Sequence, residues 1–347
     1  MNEALITGRA ATAIYLVLRH SCPGGGKVLV PANVCYAAIF PIYYAGMQPV
    51  FVDVNPQSGN VTYEAIRAAV LQEAPAAAMI VHMYGNPVQE TPRIADFLRS
   101  EGVVCIEDCA AAMGASILDG RTVGSFGDYA VHSTGYAKTI DLGFGGLLIT
   151  NLGDEIALRR LEETLPMYNE EFEEEDAFFS KMYRALRNGT VPVEFQRKLF
   201  MAAREIYRPN YLFRLQEQQK DEVKQAIKKL DVTIQRRREN QSRYRNAFEH
   251  FLPSENIYTF SKGAVPWRFT LLLNPDIRHD LISFALTKKL PISDWYPNIA
   301  PLFTSAGSFP NADWMGERIV NFPIPAEEQQ IQHIAETIQF FFQKRAF

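Results

Sequence analysis

The sequence is poor in the features that would commit it to an oxidising or membrane setting. Only four cysteines occur in 347 residues, Cys22, Cys35, Cys105 and Cys109, and no two of them form a CxxC pair. That spacing argues against a disulfide framework and for reduced thiols in a cytoplasmic protein. Cys105 and Cys109 have no matching second pair of ligands, so they read as small buried hydrophobes and no metal site is expected. No apolar run reaches membrane-spanning length, and Glu3 and Arg9 break the N-terminal run that might otherwise suggest a secretory leader. An excess of one charge is also missing. The 35 Lys and Arg stand against 39 Asp and Glu, and the cations are dispersed. Neither nucleic acid nor a membrane surface is therefore expected as a partner. No internal repeat is visible.

What is present is a large apolar fraction, 47% of residues, enough for a big domain and a smaller one. Short continuous apolar runs alternate with helical stretches. The runs are 27–30 (KVLV), 49–54 (PVFVDV), 77–83 (AAMIVHM) and the one opening at Val103. Helices are expected at Ala10–Leu18 with Thr7 as N-cap, Tyr36–Ala45, Thr62–Leu71 and Thr91–Ser100. This alternation predicts an α/β fold with a mainly parallel sheet between helices. Residues 1–235 read as a large domain, in which 151–209 is an extended, insertion-like segment of weaker pattern. Residues 236–347 read as a long helix leading into a smaller C-terminal α+β domain. The acidic stretch 170–176 is expected to be solvated and mobile. Val223, Ile227, Leu230 and Ile234, continued by Tyr244, Phe248 and Phe251, predict one long helix with Arg236, Arg237 and Arg238 in solvent.

In such sheets ligands gather outside the carboxyl ends of the strands. His82, Asp108 and Lys138 fall at or just past such ends. His82 reads equally well as a core histidine bonded to backbone. Asp108 and Lys138 suggest the two ends of a pyridoxal 5'-phosphate (PLP) ring. A lysine can bond the aldehyde carbon, and an acid can keep the pyridine nitrogen protonated. Gly143, Gly145 and Gly146 let backbone pass close to the lysine. Gly8 and Arg9 precede a helix whose free N–H groups can hold an anion, although an ordinary capped helix has the same signature. On pattern alone, a cofactor-free doubly wound enzyme competes with the PLP reading.

The order of motifs resembles the DegT/DnrJ/EryC1/StrS family of sugar aminotransferases, over nearly the whole chain. It runs from Gly8-Arg9-Ala10-Ala11 through Pro31, PVFVDV, Val81 to Gly85 and Ile106 to Asp108. Val123 to Asp128, Ser133 with Lys138, and Gly145-Gly146 come next. Leu230-Asp231 through Arg236-Arg237-Arg238 to Tyr244, then 294–297 (DWYP), and Asn321-Phe322-Pro323 follow. The resemblance implies the fold of fold type I PLP-dependent enzymes and a ping-pong transfer of an amino group from L-glutamate to a keto-sugar, usually nucleotide-linked, in amino-sugar or polysaccharide biosynthesis. It makes Lys138 the Schiff-base lysine and proton shuttle, and Asp108 the partner of the pyridine nitrogen. Ser133 and the backbone of Gly8 and Arg9 become phosphate contacts. It further implies a homodimer, with Arg214 reaching toward the neighbouring subunit.

Several site positions depart from the family. Ala111 stands for its Gln, Phe144 for a Glu, and Leu212 for the Asn before Arg214. Cys35 occupies the place of the aromatic that stacks on the ring, which puts Tyr36 forward as a substitute. The family's N-terminal arm is nearly absent, so 151–209 is expected to build part of the acceptor wall. His82, Arg214 and Arg268 are the substrate candidates, Arg268 for a carboxylate or phosphate; packing of Arg268 on Trp267 is the alternative. The related dehydratases replace the lysine with His, and Lys138 speaks against that branch. A non-nucleotide ketone such as a cyclitol, or a PLP-fold binding protein without turnover, remain the other readings.

Overall fold

The structure, a computed structural model, describes residues 4–169, 171–188 and 191–345. Strand β1 (Leu5–Thr7) leads into α1 (Ala10–Ser21), followed by β2 (Lys27–Pro31), α2 (Tyr36–Tyr44), β3 (Gln48–Val52), α3 (Tyr63–Glu73), β4 (Ala77–Val81), α4 (Thr91–Ser100) and β5 (Val104–Asp108). The hairpin β6 (Tyr129–Ser133) and β7 (Gly146–Thr150) completes a seven-stranded sheet of order β1-β7-β6-β5-β4-β2-β3. Strands β2 to β6 run parallel, while β7 and β1 are antiparallel to their neighbours. Strands β4 and β6 are buried at every position, which explains their unbroken apolar sequence, apart from the polar residues at the end of β6.

Helix α1 starts after Arg9, not at a cap on Thr7. The Thr7 side chain donates to Arg9 O, and Thr12 Oγ1 accepts from Arg9 N. Helices α5 (Glu155–Glu162), α6 (Glu171–Asn188) and α7 (Val193–Ile206) fill the segment after the sheet. Most of the acidic stretch expected to be mobile is thus the first turns of α6; residue 170 lies outside the described residues.

The long helix expected from residue 223 onward is two helices, α8 (Glu217–Ile227) and α9 (Leu230–Glu249). They pack into different places, Val223 beside Phe213 and Leu215, and Ile234 beside Cys109, Ala112 and Val265. A straight helix cannot serve both, and the turn at Lys228–Lys229 redirects the chain. Position 235, the expected edge between domains, lies inside α9. The later residues of that helix, Tyr244 and Phe248, join a second core with Phe269 and Phe322. This core is built from β8 (Arg268–Leu272), α10 (Pro275–Thr287), β9 (Ile319–Pro323) and α12 (Glu328–Arg345); α11 (Pro310–Gly316) precedes β9 and packs on the larger core through Ala312 and Met315. Arg237 does not face solvent as expected. It follows Ile234 by three residues on the buried stripe and is itself buried.

Candidate active site

The register of the sheet assembles the site. Val81 stands opposite Asp108, Asp108 opposite Val131, Ser133 opposite Gly146, and Gly146 opposite Thr7. Asp108, Ser133 and the Gly8–Arg9 step therefore share one edge, the carboxyl edge of the parallel strands. A Cβ on Gly146 would lie 2.4 Å from the carbonyl carbon of Arg9, so only glycine lets the start of α1 approach β7 this closely. Of the Gly8–Arg9 backbone, the Arg9 N–H is already donated to Thr12 Oγ1 at 3.1 Å. An anion here would use the remaining first-turn N–H groups. Ser133 Oγ accepts from Gly135 N at 3.1 Å, which leaves its own proton to donate.

Lys138 sits half-buried on the loop between β6 and β7. That loop is closed at its base, with Leu142 N donating to Thr134 O and Thr134 N to Gly145 O. Burial raises the Asp108 pKa, and the Lys138 charge draws it part of the way back, which puts the lysine within electrostatic reach of the β5 end.

Asp108 and its neighbour Glu107 point to opposite faces of β5 and live in opposite environments. Glu107 is fully buried. It accepts from His82 Nε2 and from the N–H groups of Gly124, Phe126 and Gly127 at 2.6–3.2 Å. Burial pushes its pKa up, but the His82 bond and the backbone donors outweigh that and hold it below the usual range. Asp108 accepts one hydrogen bond, from Ala110 N to Oδ1, and Oδ2 accepts none among the described residues. Burial pushes the Asp108 carboxyl up, only partly offset by Ala110 and by Lys138. Among the described residues this buried carboxylate has one oxygen unclaimed and no ion pair, so it can take a cationic hydrogen-bond donor. A protonated pyridine nitrogen fits that vacancy in the hydrogen-bonding scheme, and the residues present fit PLP.

His82 has no exposed surface. Its Nδ1 accepts from Val88 N and its Nε2 donates to Glu107, so both nitrogens are committed behind the strand ends. His82, Glu107 and Cys109 stand close enough to share a metal ion, but these hydrogen bonds already occupy the His and Glu ligand atoms. Cys109 is a buried thiol whose pKa burial raises. The Tyr36 ring lies in an aromatic wall, 4.9 Å from Tyr183 and 5.2 Å from Phe179 of α6, with Phe200 of α7 and Trp295 around it. Arg214 is held by its backbone between Pro166 O and Tyr168 N, beside Glu162 rather than Lys138. The departures Leu212 and Ala111 are buried, and Phe144 packs against Tyr168.

Arg268 is half-buried at the start of β8, its guanidinium 5.1 Å from the Trp267 ring centre. It makes no side-chain hydrogen bond or ion pair among the described residues, and burial lowers its pKa, offset by Tyr296, Tyr136 and Asp141. Three residues here carry no sequence-based assignment: Tyr296, Trp267 and Arg237. Tyr296 is buried between Trp267 and Tyr84 and near enough to Cys35, Arg268 and Asp108 to feel their charges. Its position in the 294–297 motif was the available signal. For Arg237 the signal was the Ile234, Arg237, Asn240, Tyr244 stripe, which the run of three arginines disguises.

The mainly parallel seven-stranded sheet between helices is the fold of the PLP-dependent aminotransferases that the chain resembles in structure. The chain belongs to the DegT/DnrJ/EryC1/StrS aminotransferase family, whose sequence profile matches residues 1–339. The chain is 35% identical over 152 residues to a GDP-perosamine synthase of Escherichia coli O157:H7, an alignment covering 44% of this chain and 41% of that one. It is 26% identical to a pleiotropic regulatory protein of Geobacillus stearothermophilus, over 96% of this chain and 84% of that protein. In structure it is similar to PseC of Helicobacter pylori, an aminotransferase involved in the biosynthesis of pseudoaminic acid. That likeness has a TM-score of 0.78 and 17% identity, over 99% of this chain and 88% of PseC, and it shows the fold.

Proposed function

We propose that the chain is a PLP-dependent aminotransferase that moves an amino group from L-glutamate to a keto-sugar, nucleotide-linked, for amino-sugar or polysaccharide biosynthesis in the cytoplasm. The observation that carries the reading is the buried, singly bonded Asp108 at the end of β5, on the same sheet edge as Ser133 and the start of α1 and within electrostatic reach of Lys138. When bound, the cofactor supplies an aldehyde carbon to carry the amino group and a pyridine ring to accept electrons from the substrate carbon. Asp108 holds the proton on the ring nitrogen. Lys138 Nζ would hold the aldehyde end of the cofactor and would carry a proton to and from the substrate carbon. Ser133 and the first-turn N–H groups of α1 hold the phosphate.

Arg268, a half-buried cation stacked on Trp267 with no side-chain hydrogen bond or ion pair among the described residues, is the group to grip a substrate carboxylate or phosphate. The wall of Tyr36, Phe179, Tyr183 and Trp295 is the side on which the acceptor sugar lies; two of its four rings, Phe179 and Tyr183, come from the segment 151–209. Arg214 reaches a second copy in a homodimer. No helix among the described residues is long and apolar enough to cross a membrane.

Adding L-glutamate to the PLP-loaded protein should bleach the visible band of the bound cofactor and release 2-oxoglutarate, and a panel of keto-sugar nucleotides should restore the band. Lys138→Ala should lose the band and at least ~10³-fold in activity. If glutamate leaves the band untouched while Lys138 carries the cofactor, the chain binds without turning over, and the reading fails.

A further inference from the structure

The loop that carries Lys138 is gripped by two residues far along the chain. Ala137 and Lys138 present consecutive carbonyls toward the region of α9 and β8. Trp267 Nε1 donates to Ala137 O at 2.7 Å, and Arg237 Nη2 donates to Lys138 O at 2.6 Å. Through Nη1, Arg237 also donates to Pro266 O and Trp267 O, each at 3.1 Å. One guanidinium thus ties the lysine's own carbonyl to the backbone of the tryptophan that holds the preceding carbonyl.

The arrangement is costly on both sides. Arg237 is only 3% exposed, makes no ion pair among the described residues, and leaves Nε without a partner. Burial pushes its pKa down to about 10, with Arg268 adding to the effect and Asp141 opposing it. A buried cation satisfied only by carbonyls is retained against a desolvation penalty. On the loop, Ala137 sits at φ 58°, the left-handed region that a residue with a Cβ rarely adopts, and its N–H is held by Asp141 Oδ2 at 2.9 Å. The donors fix the two peptide planes on either side of the Lys138 Cα, and those planes set the direction in which its side chain leaves the loop.

We propose that Arg237 and Trp267 are positioning residues that clasp the Lys138 loop and aim Nζ at the cofactor's aldehyde carbon. The clasp ties the lysine's geometry to α9 and the start of β8. Its catalytic meaning rests on the reading of Lys138 given above. Neither residue needs to touch the cofactor, since both act through the backbone of the lysine segment.

Two variants separate this role from plain scaffolding. Trp267→Phe keeps a ring against Tyr84 and Tyr296 and removes only the Nε1 donor. Arg237→Met keeps an unbranched buried chain and removes the fork. Each protein is loaded with PLP and reduced with borohydride, and mass spectrometry measures cofactor fixed on Lys138 as a fraction of all cofactor bound. Amide hydrogen exchange of residues 135–143 is followed in parallel. The fixed fraction should fall about fivefold in Trp267→Phe and about tenfold in Arg237→Met, as one neutral or one charge-assisted hydrogen bond is lost, with faster exchange of the loop. Arg237→Lys, which keeps the charge but not the fork, should recover part of the fraction. A merely structural role would lower the melting temperature and total bound cofactor together and leave the ratio alone. An unchanged ratio with unchanged loop exchange overturns the proposal. Should Arg237→Met not fold, Trp267→Phe decides. Should the parent itself fix no cofactor on Lys138, the functional reading falls, and loop exchange in Trp267→Phe alone upholds or sinks the clasp.

Discussion

The two sides of the site are built on different physics. The floor, made by the ends of β5, β6 and β7, is polar and held by backbone register. Its side chains are either saturated, like Glu107 with four donors, or deliberately left short, like Asp108 with one. The wall, made by Tyr36, Phe179, Tyr183, Phe200 and Trp295, is aromatic, with Tyr183 stacked on Trp295 at 5.3 Å and 18°. Its energy comes from burial and ring contacts, not from hydrogen-bond geometry. A floor of fixed donors suits chemistry at one atom. A wall of rings suits a flat-faced or sugar-like ligand whose identity can change by repacking. On the proposed function, the reaction and its acceptor fall to separable parts of one chain.

The sharpest way to break that comparison lies within the floor, at the adjacent carboxylates. Asp108→Asn should reduce turnover ~10²–10³-fold, the size seen when one preorganised electrostatic partner is removed. Stability of the cofactor-free protein should nevertheless rise. The folded pKa of Asp108 lies above its unfolded value, so its contribution is present only at low pH and is lost as pH rises through the folded pKa. Asn keeps an acceptor for Ala110 N without the buried charge. Glu107→Gln should do the reverse, costing about 3 kcal/mol by breaking a buried, fully bonded carboxylate while leaving the turnover of the folded fraction near that of the parent. Denaturant unfolding beside steady-state rates reads both. If the two variants lose turnover and stability in the same proportion, Asp108 and Glu107 are not functionally distinct.

The wall is tested by a cavity. Phe179 is fully buried, with Tyr207 at 4.5 Å and Tyr36 at 5.2 Å. Phe179→Ala should cost about 3–4 kcal/mol. Its kinetic signature should be confined to one half of the reaction, with a raised KM for the keto acceptor and an unchanged rate of band bleaching by L-glutamate. Equal damage to both halves would show that floor and wall are not separable.

The floor was legible in the sequence and the wall was not, for physical reasons. Each floor residue ends or follows a five-residue strand, and parallel register with right-handed crossovers brings such ends together. Asp108 and Lys138 could thus be placed by reading order alone, and Ser133 by the family resemblance. The wall joins residues 36, 179, 183, 200 and 295, which no local periodicity links. Two of them sit in a helix whose acidic start reads as a solvated tail. Tyr36 was assigned from its neighbour Cys35, and the structure commits its ring to the wall. His82 read equally as a pocket residue ending a strand and as a core histidine bonded to backbone; its ring is taken up by Val88 N and Glu107, as the second reading has it. Arg237 was lost in a run of three arginines, although its three-residue spacing from Ile234 was the better guide. Charge is a surface signal only until carbonyls are arranged to receive it.

The same contrast should appear in the response to acid, with a smaller effect. His132 lies under the floor, fully enclosed, with Nδ1 unpartnered among the described residues. Burial pushes its pKa from 6.5 down to about 4, a shift that Glu107 opposes and His82 supports. Because the folded value lies below the unfolded one, the unfolded chain takes up the proton first. The stabilising contribution is complete above pH 6.5 and is lost progressively as pH falls toward 4, up to about 3 kcal/mol at 1.4 kcal/mol per unit. Glu107, with its lowered pKa, loses its own contribution in the same direction at still lower pH. The wall residues Tyr36, Phe179, Tyr183, Phe200 and Trp295 carry nothing that titrates in this range. Unfolding free energies measured at pH 7, 5.5 and 4.5 should therefore fall less steeply in His132→Gln than in the parent, whereas Phe179→Ala should be displaced downward with the parent's slope. Parallel curves for the parent and His132→Gln would mean that the buried imidazole does not sense acid and that the polarity of the floor is not what makes it pH-sensitive.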